Sequence, residues 1–289
     1  MHCSRFLQLD VFPAGFGGGN PLGVVVDGRR FDTETMQRIA RWTNLVETTF
    51  LLPPETERGS YRVRIFTPRK EIPFAGHPSV GSAHAALESG LCLPRDGLLW
   101  QECGAGTLPV RVEGEGSDRR LLVQAPAARI VASGMAAEAR LAPLLGGHAL
   151  GRLGGALVDG GRYWWLAELA DSSTLRCWRP AHADIAALAA ENGSMGLCLF
   201  AREGDGLAVR AFPAGAGIVE DPASGAANAL IAAYIARSAP DDPLAQGYEV
   251  SQGREMGHDA HLSLRIDADG TIWTGGGCNT VIDGHLQWL

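Results

Sequence analysis

The sequence contains one local pattern twice, and this repeat strongly limits the folds open to the chain. In the first copy, an alternating stretch at residues 63–66 leads through Phe-Ala-Gly-His-Pro at 74–78 into a helix of small residues. In the second copy, residues 209–212 lead through Glu-Asp-Pro-Ala-Ser-Gly at 220–225 into another such helix. Each copy has the order strand, loop, glycine, helix. This repeat predicts two similar halves, each built around one central helix.

Each copy places a glycine where its helix begins, Gly76 in the first and Gly225 in the second. The first turn of a helix carries N–H groups without intrahelical partners, together with the positive end of the helix dipole. A carboxylate or phosphate can bind there without any lysine, and glycine lets it approach the backbone closely. For either copy alone, the alternative is a glycine that serves only as a turn residue. Two copies at matched positions favour an anion-binding cleft between the halves.

Three polar side chains that differ between the copies are candidates for the chemistry. Glu47 begins an apolar stretch, where a buried carboxylate needs a partner or a proton and gains a pKa suited to proton transfer. The alternative for Glu47 is an exposed acid at a strand end. His77 follows the first helix glycine and is either catalytic or structural, whereas its counterpart in the second copy is Ala226. Asp221 either holds substrate or only complements the dipole of the second helix.

Composition and charge exclude several classes of partner. The 289 residues are 46% hydrophobic and 20% charged, which is enough to bury one large core or two moderate ones. The net charge of −7 and the lack of a basic run argue against nucleic acid and against an anionic membrane as the main partner. The start of the chain lacks the apolar core of a signal peptide, and the six scattered cysteines form no C-x-x-C pair. We therefore predict a cytoplasmic protein with free thiols.

Two motifs suggest a cofactor site or a metal site, but the residues around them do not fit such a site. The glycine-rich residues 15–20 resemble a dinucleotide-binding loop, but a strand pattern follows at 21–26 where that loop requires a helix. His77 and His84 are seven positions apart and belong to no H-E-x-x-H motif. We therefore expect neither a cofactor nor a metal site.

Strands outnumber helices in the sequence pattern, which indicates an α+β fold rather than one doubly wound sheet. We predict strands at 6–12, 22–26, 47–52, 61–66, 98–101, 107–112, 120–124, 197–201 and 207–212. We predict helices behind Asp32, from 78 to about 89, from about 184 to 191 and from about 225 to 236. The predicted halves are residues 1–127 and 128–276, with a linker near 126–133 and a final strand at 277–289 that returns to the first half.

Together the motifs resemble those of the phenazine-biosynthesis PhzF family, which shares the diaminopimelate epimerase fold. The matching segments are Gly-Asn-Pro at 19–21, Glu-Thr-Thr-Phe at 47–50, the run at 64–78 and Glu-Asp-Pro-Ala-Ser-Gly at 220–225. Gln-Gly at 252–253 and the glycine-rich stretch near 275–277 match more loosely. They cover nearly the whole chain in the order of the family. The resemblance implies two pseudo-symmetric halves, each a barrel-like sheet around a central helix. It also implies a homodimer and a cofactor-independent isomerase of the kind that isomerises dihydro-3-hydroxyanthranilate on the way to phenazines.

The resemblance also implies roles for individual residues. Glu47 corresponds to the acid/base that moves the proton, and His77 and Asp221 correspond to residues that position the substrate and assist. The backbone at Gly76 and Gly225 corresponds to the carboxylate-binding site.

The neighbours of these residues complete the predicted binding site and contain one departure from the family. We expect Asn20, Ser224 and Ala226 to line the substrate. The phenazine enzyme has a serine directly after the second glycine, where this chain has Ala226. Related racemases carry a cysteine just before each glycine, but the residues here are Ala75 and Ser224, which argues against a two-base racemase.

We therefore predict an isomerase that acts on a small carboxylated substrate by acid/base proton transfer. The alternative is a PhzF-like protein that binds a small molecule without turning it over, since Ala226 lacks a hydroxyl that would contact substrate.

Overall fold

The computed structural model describes residues 2–288, which form two compact units. Unit 1 contains the residues up to Gln124 together with those from Gly275 onward, and unit 2 is Ala125–Thr274. The strands are β1 (His2–Val11), β2 (Asn20–Val25), β3 (Glu47–Leu52), β4 (Tyr61–Phe66), β5 (Glu71–Ile72), β6 (Leu98–Cys103), β7 (Gly106–Glu113), β8 (Arg120–Gln124), β9 (Arg129–Ser133), β10 (Leu150–Asp159), β11 (Tyr163–Leu169), β12 (Leu197–Glu203), β13 (Gly206–Phe212), β14 (Gly247–Gln252), β15 (Ala260–Ile266), β16 (Ile272–Gly276) and β17 (Cys278–Trp288). The α-helices are α1 (Thr33–Thr43), α2 (Gly76–Glu88), α3 (Met135–Leu145), α4 (Ser172–Cys177), α5 (His182–Asn192) and α6 (Gly225–Ser238).

Unit 1 is a curved sheet that surrounds α2. Its strands follow the order β17, β1, β2, β3, β4, β6, β7 and β8, with the short β5 beside β4. All these pairs are antiparallel except β2 with β3 and β4 with β6. Helix α2 packs against β17, β1, β2, β3, β4, β6 and β8, so the sheet covers it on most sides.

Small residues allow α2 to sit inside this sheet. Val80, Ala83 and Ala86 are fully buried, and a Cβ atom added at Gly81 would lie 2.4 Å from a methyl carbon of Leu22. The helix begins two residues before Pro78, which occupies its third position, where a missing N–H costs no intrahelical bond.

The strands of unit 2 are ordered β9, β10, β11, β12, β13, β14 and β15. Helix α6 packs against β10, β11 and β15. It is buried over nearly its whole length, as expected for a helix that is apolar on every side, whereas Ala226 is exposed. Leu197, Leu199 and Ala201 of β12 point to the same face of the sheet, because side chains alternate along a strand. They belong to a core cluster that includes residues of α3, α4 and α5. These three helices therefore cover that face of the sheet.

The structure confirms the α+β class and corrects the secondary-structure prediction in places. Part of the predicted linker is a strand, because Arg129–Ser133 forms β9 and pairs with β10. Its residues alternate between exposed and half-buried, so the stretch lacks the apolar run that marks an interior strand. We assigned no elements to 134–182 or 247–266, which contain α3, β10, β11, α4, β14 and β15.

The end of the chain forms a long strand in unit 1. Strand β17 pairs antiparallel with β1 along its length, from His2 opposite Trp288 to Val11 opposite Cys278. We predicted unit boundaries at 127/128 and 276/277; the compact units meet at 124/125 and 274/275. No helix within residues 2–288 combines the length and the apolar character needed to cross a membrane.

Candidate active site

Unit 1 brings two of the predicted site residues into contact. Glu47 is the first residue of β3, opposite Leu22 of the parallel strand β2, and His77 is the second residue of α2. The Nε2 atom of His77 lies 3.4 Å from Oε2 of Glu47, and the two side chains are only 8% and 12% exposed. The start of the central helix therefore presents an imidazole to a largely buried carboxyl group.

The imidazole of His77 is held in one tautomer. The ring forms a hydrogen bond with the backbone of Pro21. Proline has no N–H, so the ring must be the donor and the carbonyl oxygen the acceptor. The buried Nε2 makes no hydrogen bond to any residue in 2–288. The donor is therefore Nδ1, and Nε2 keeps its lone pair on the side of Glu47.

Burial keeps His77 uncharged. Desolvation lowers the pKa of His77 from 6.5 to about 3, against a smaller opposite effect of the hydrogen bond to Pro21. At neutral pH the contact with Glu47 is therefore not an ion pair. Two lone pairs face each other unless a proton lies between Nε2 and the carboxyl group, or unless a substrate supplies one. This arrangement suits a carboxyl group that alternates between its protonated and ionised forms.

The loop that leads to Pro21 is held by a buried carboxylate. Asp10 in β1 accepts hydrogen bonds from the N–H groups of Gly17 and Gly19, at 2.7 and 2.8 Å. A Cβ atom at Gly19 would lie 2.2 Å from the carbonyl oxygen of Val11, so only glycine fits there. The glycine-rich loop that resembled a nucleotide-binding loop therefore leads directly into β2 and places its first residues, including the buried Asn20.

The first turn of α2 has no side-chain cap. Its N-cap residue is Ala75, whose side chain makes no hydrogen bond to the helix. Gly76 and His77 contribute the N–H groups of the first turn, because Pro78 has none. The Ser79 N–H is already bonded to the Ala75 carbonyl. Two N–H groups are thus available for an anion at this helix start.

The start of α6 in unit 2 is built differently. Ser224 is the N-cap, and its Oγ accepts the N–H of Ala227 at 3.4 Å. Gly225 and Ala226 are the first two residues of the helix, where N–H groups have no intrahelical partner. The hydroxyl cap therefore occupies the third N–H and leaves the first two for a ligand.

Asp221 lies just before this cap and is half-buried. The Oδ1 atom accepts the N–H of Ala223 at 3.2 Å, and the backbone N–H of Asp221 bonds to Ala211 in β13. Burial raises the pKa of Asp221 from 3.8 to about 6, although hydrogen bonds from the Ala223 backbone and the Ser224 side chain favour the ionised form. A carboxyl group with this pKa can act as an acid or a base near neutral pH.

The predicted residues thus fall into two groups. Unit 1 contains Asn20, Glu47, Gly76 and His77, and unit 2 contains Asp221, Ser224, Gly225 and Ala226. Within residues 2–288, no group of three His, Cys, Asp or Glu side chains has an arrangement that would hold a metal ion.

Sequence reasoning missed the polar side chains that support these residues. Asp10 escaped notice although a carboxylate beside a glycine-rich turn is a recognisable signal, since such residues often bond nearby backbone N–H groups. The buried amides Gln101 and Gln252 stand in strands, and nothing in the local pattern distinguishes them from exposed polar residues.

Comparison with known proteins agrees with this architecture. The structure of a PhzF-family phenazine biosynthesis protein from Bacillus anthracis superposes with a TM-score of 0.82 at 23% identity, covering 100% of both chains. A hydroxyproline epimerase from Agrobacterium vitis gives a TM-score of 0.62 at 12% identity, covering 98% of this chain and 92% of that one. The fold is therefore the diaminopimelate epimerase-like fold predicted from the sequence.

Sequence comparison identifies the family. The family model for phenazine biosynthesis-like proteins, PhzC-PhzF, matches residues 9–281. The protein called Antisense-enhancing sequence 1 of Schizosaccharomyces pombe is 31% identical over 96% of this chain and 97% of its own length. The trans-2,3-dihydro-3-hydroxyanthranilate isomerase of Pseudomonas aeruginosa is 31% identical over 92% of this chain and 91% of its own length. The chain belongs to the PhzC-PhzF family, and the predicted class of enzyme, an isomerase, is the class for which the Pseudomonas relative is named.

Proposed function

We propose that this protein is an isomerase that moves a proton within a small carboxylated substrate, with Glu47 as the acid/base. The contact between Glu47 and the uncharged His77 is the observation that carries the proposal. A carboxyl group that shuttles a proton must be stable in both protonation states. The Nε2 lone pair of His77 accepts a hydrogen bond from the protonated form, and the ionised form can accept a proton from substrate.

The proton transfer needs no redox partner. The Glu47 carboxylate removes a proton from a carbon next to a conjugated double bond, and the electron pair of the broken C–H bond moves into the π system. The same carboxyl group then returns the proton to a carbon at the far end of that system. One C–H bond breaks and one forms, so substrate and product are isomers.

We assign recognition of the substrate carboxylate to the starts of the helices. The first-turn N–H groups of Gly76 in α2 and of Gly225 in α6 provide donors and the positive end of a helix dipole. Asp221, whose pKa of about 6 allows either protonation state, accepts or donates a hydrogen bond to a substrate amine or hydroxyl. Asn20, Ser224 and Ala226 complete the proposed lining.

The relatives suggest the first substrate to test. Three Pseudomonas relatives are named trans-2,3-dihydro-3-hydroxyanthranilate isomerases, so we propose a cyclic, unsaturated carboxylate of that type. On the resemblance alone we also propose a cytoplasmic homodimer, and light scattering on the purified protein tests the oligomeric state.

Turnover of trans-2,3-dihydro-3-hydroxyanthranilate by wild type and by Glu47→Gln tests the proposal. General acid/base groups typically contribute about 10²–10⁴-fold, so we expect the substitution to lower kcat by about that factor. Glu88→Gln is the matched control, because Glu88 also lies beside a histidine of α2, with 3.1 Å between its Oε2 and Nε2 of His84. Equal turnover by wild type and Glu47→Gln would contradict the role of Glu47.

A second candidate function is ligand binding without turnover. The observation in its favour is Ala226, which places no hydroxyl at the exposed second position of α6. This function predicts that the substrate raises the melting temperature while mass spectrometry detects no product. Detection of an isomerised product excludes it.

A further inference from the structure

The side chain of Gln252 ties together the segment that carries Asp221. Gln252 is the last residue of β14 and is fully buried. Its Nε2 donates to the backbone carbonyl of Asp221 at 2.7 Å. Its Oε1 accepts the backbone N–H of Ser224 at 3.3 Å. One amide thus bonds both ends of residues 221–224.

The same amide extends the network into α6. Asn228, the fourth residue of α6, donates from Nδ2 to Oε1 of Gln252 at 2.8 Å and to the Ser224 carbonyl at 2.8 Å. The partners of Gln252 are one carbonyl oxygen and two N–H donors. Only one orientation of the amide satisfies all three, so the network fixes the side chain of Gln252.

The backbone after Gln252 also approaches this segment closely. Gly253 has a φ of +90°, and a Cβ atom there would lie 2.7 Å from the carbonyl oxygen of Pro222. Only glycine adopts this conformation readily and also leaves room for that carbonyl. The end of β14 therefore holds residues 221–224 by a side chain and by direct backbone contact.

A second buried glutamine, Gln101 of β6 in unit 1, provides a comparison. Its Nε2 donates to Oγ of Ser79, the fourth residue of α2, and its Oε1 accepts from the hydroxyl of Tyr61. Ser79 Oγ in turn bonds to the Ala75 carbonyl. Gln101 thus reaches the helix start through Ser79, whereas Gln252 bonds the backbone on both sides of the Asp221–Ser224 turn.

We propose that Gln252 is a positioning residue, whose amide places the Asp221 carboxyl group and the first-turn N–H groups of α6 for the substrate. The inference rests on the proposed function, since it gives Asp221 a part in substrate recognition. Gln252 acts through the backbone of residues 221–224 rather than by touching the reacting atoms.

The pKa of Asp221 also depends on the charged and titratable groups beside it. The thiol of Cys198 in β12 interacts with Asp221, and burial keeps the pKa of that thiol well above its usual range. The adjacent Glu220 forms a two-point ion pair with the buried Arg210, at 2.9 and 3.0 Å. The Cys198 thiol stays uncharged near pH 6 because its pKa is raised, so it does not compete with the titration of Asp221.

The test compares Gln252→Met with Gln101→Met in the full-length protein. Carbon-13 NMR of aspartate-labelled protein, with the Asp221 signal assigned from Asp221→Asn, gives the pKa of Asp221. We expect Gln252→Met to lower this pKa by at least about half a unit, because a loosened segment admits water to the carboxyl group. The same variant should lower kcat/KM about tenfold or more. Gln101→Met should destabilise the protein to a similar extent as Gln252→Met but should leave the pKa of Asp221 unchanged.

A conservative variant keeps the proposal testable if Gln252→Met does not fold. Gln252→Asn keeps a neutral amide, but its side chain is one methylene shorter, so we expect it not to bond both the Asp221 carbonyl and the Ser224 N–H. An unchanged Asp221 pKa in a folded Gln252 variant would overturn the positioning role. If the wild type does not turn over the substrate but the pKa still shifts, the proposed function fails while the placement of Asp221 by Gln252 stands.

Discussion

The starts of α2 and α6 share a framework but differ in the groups that they present. In each helix the fourth residue, Ser79 or Asn228, bonds back to the carbonyl of the N-cap residue and also contacts a buried glutamine. The first helix then presents an uncharged histidine to Glu47. The second helix follows Asp221 and has a serine cap.

The two helix starts share their backbone donors and differ in their side chains. Both helices begin with glycine and offer first-turn N–H groups, so each can bind an anion. The side chains are not duplicated, because Ala226 stands where α2 has His77 and the carboxyl group beside α6 is Asp221 rather than a counterpart of Glu47.

Asp221 should contribute a pH dependence of stability with the opposite sign to that of His77. Its pKa is higher in the folded state than its ordinary value of 3.8, so the folded protein binds the proton more tightly than the unfolded chain. The contribution of Asp221 to stability is therefore lost as pH rises from about 4 to about 6, by up to about 3 kcal/mol for a shift of about two units. The contribution of His77, whose pKa is lowered to about 3, grows as pH rises over the same range. Urea unfolding of Asp221→Asn should lack this loss, and the same pH dependence in wild type and variant would contradict the raised pKa.

His77 should contribute about 10²-fold to kcat as a hydrogen-bond acceptor. His77→Phe removes the Nε2 lone pair and the bond to Pro21, whereas His84→Gln alters another histidine of the same helix and serves as the control. Because the pKa of His77 is about 3, its protonation should not shape the rate between pH 5 and 9. A rate that falls below pH 6.5 in wild type but not in His77→Phe would contradict an uncharged His77.

Ala226 should show the smallest effect. Ala226→Ser adds a hydroxyl at an exposed position in the first turn of α6, where serine costs little stability. If this position contacts the substrate as the family resemblance implies, KM for trans-2,3-dihydro-3-hydroxyanthranilate should fall a few-fold, in line with about 1 kcal/mol for one hydrogen bond. An unchanged KM in steady-state assays would place the substrate away from Ala226.

The sequence pattern predicted the parts of the fold whose signals are local. Strands β3 and β4 occupy the predicted residues, and α6 begins at the predicted Gly225. Helix α2 begins earlier than Pro78 alone suggested, because glycine and histidine also take helical conformation there.

Some of the helices and strands that we did not predict contain residues that disfavour their secondary structure. Helix α3 contains Pro143 in its interior, and β10 contains Gly151, Gly154 and Gly155, residues that usually mark loops. Pairing of β10 with both β9 and β11, and packing of α3 against β10, outweigh these local preferences.

The candidate site was predictable only in part, because its support comes from residues far apart in sequence. The family resemblance selected Glu47 and His77, which the structure places in contact. The resemblance did not indicate that Gln252 bonds Asp221, because a polar residue at the end of a strand is usually expected to be exposed. Their roles in catalysis remain predictions.

Deuterium incorporation during turnover tests the central claim most directly. Wild-type protein and trans-2,3-dihydro-3-hydroxyanthranilate are mixed in D₂O, and NMR and mass spectrometry locate deuterium in the product. If Glu47 transfers the proton, wild type should give a product with deuterium only at the newly protonated carbon, in an amount set by exchange of the Glu47 proton with solvent. Glu47→Gln should give product and labelled substrate about 10²–10⁴-fold more slowly than wild type. Product or exchange at the wild-type rate in Glu47→Gln would contradict the account.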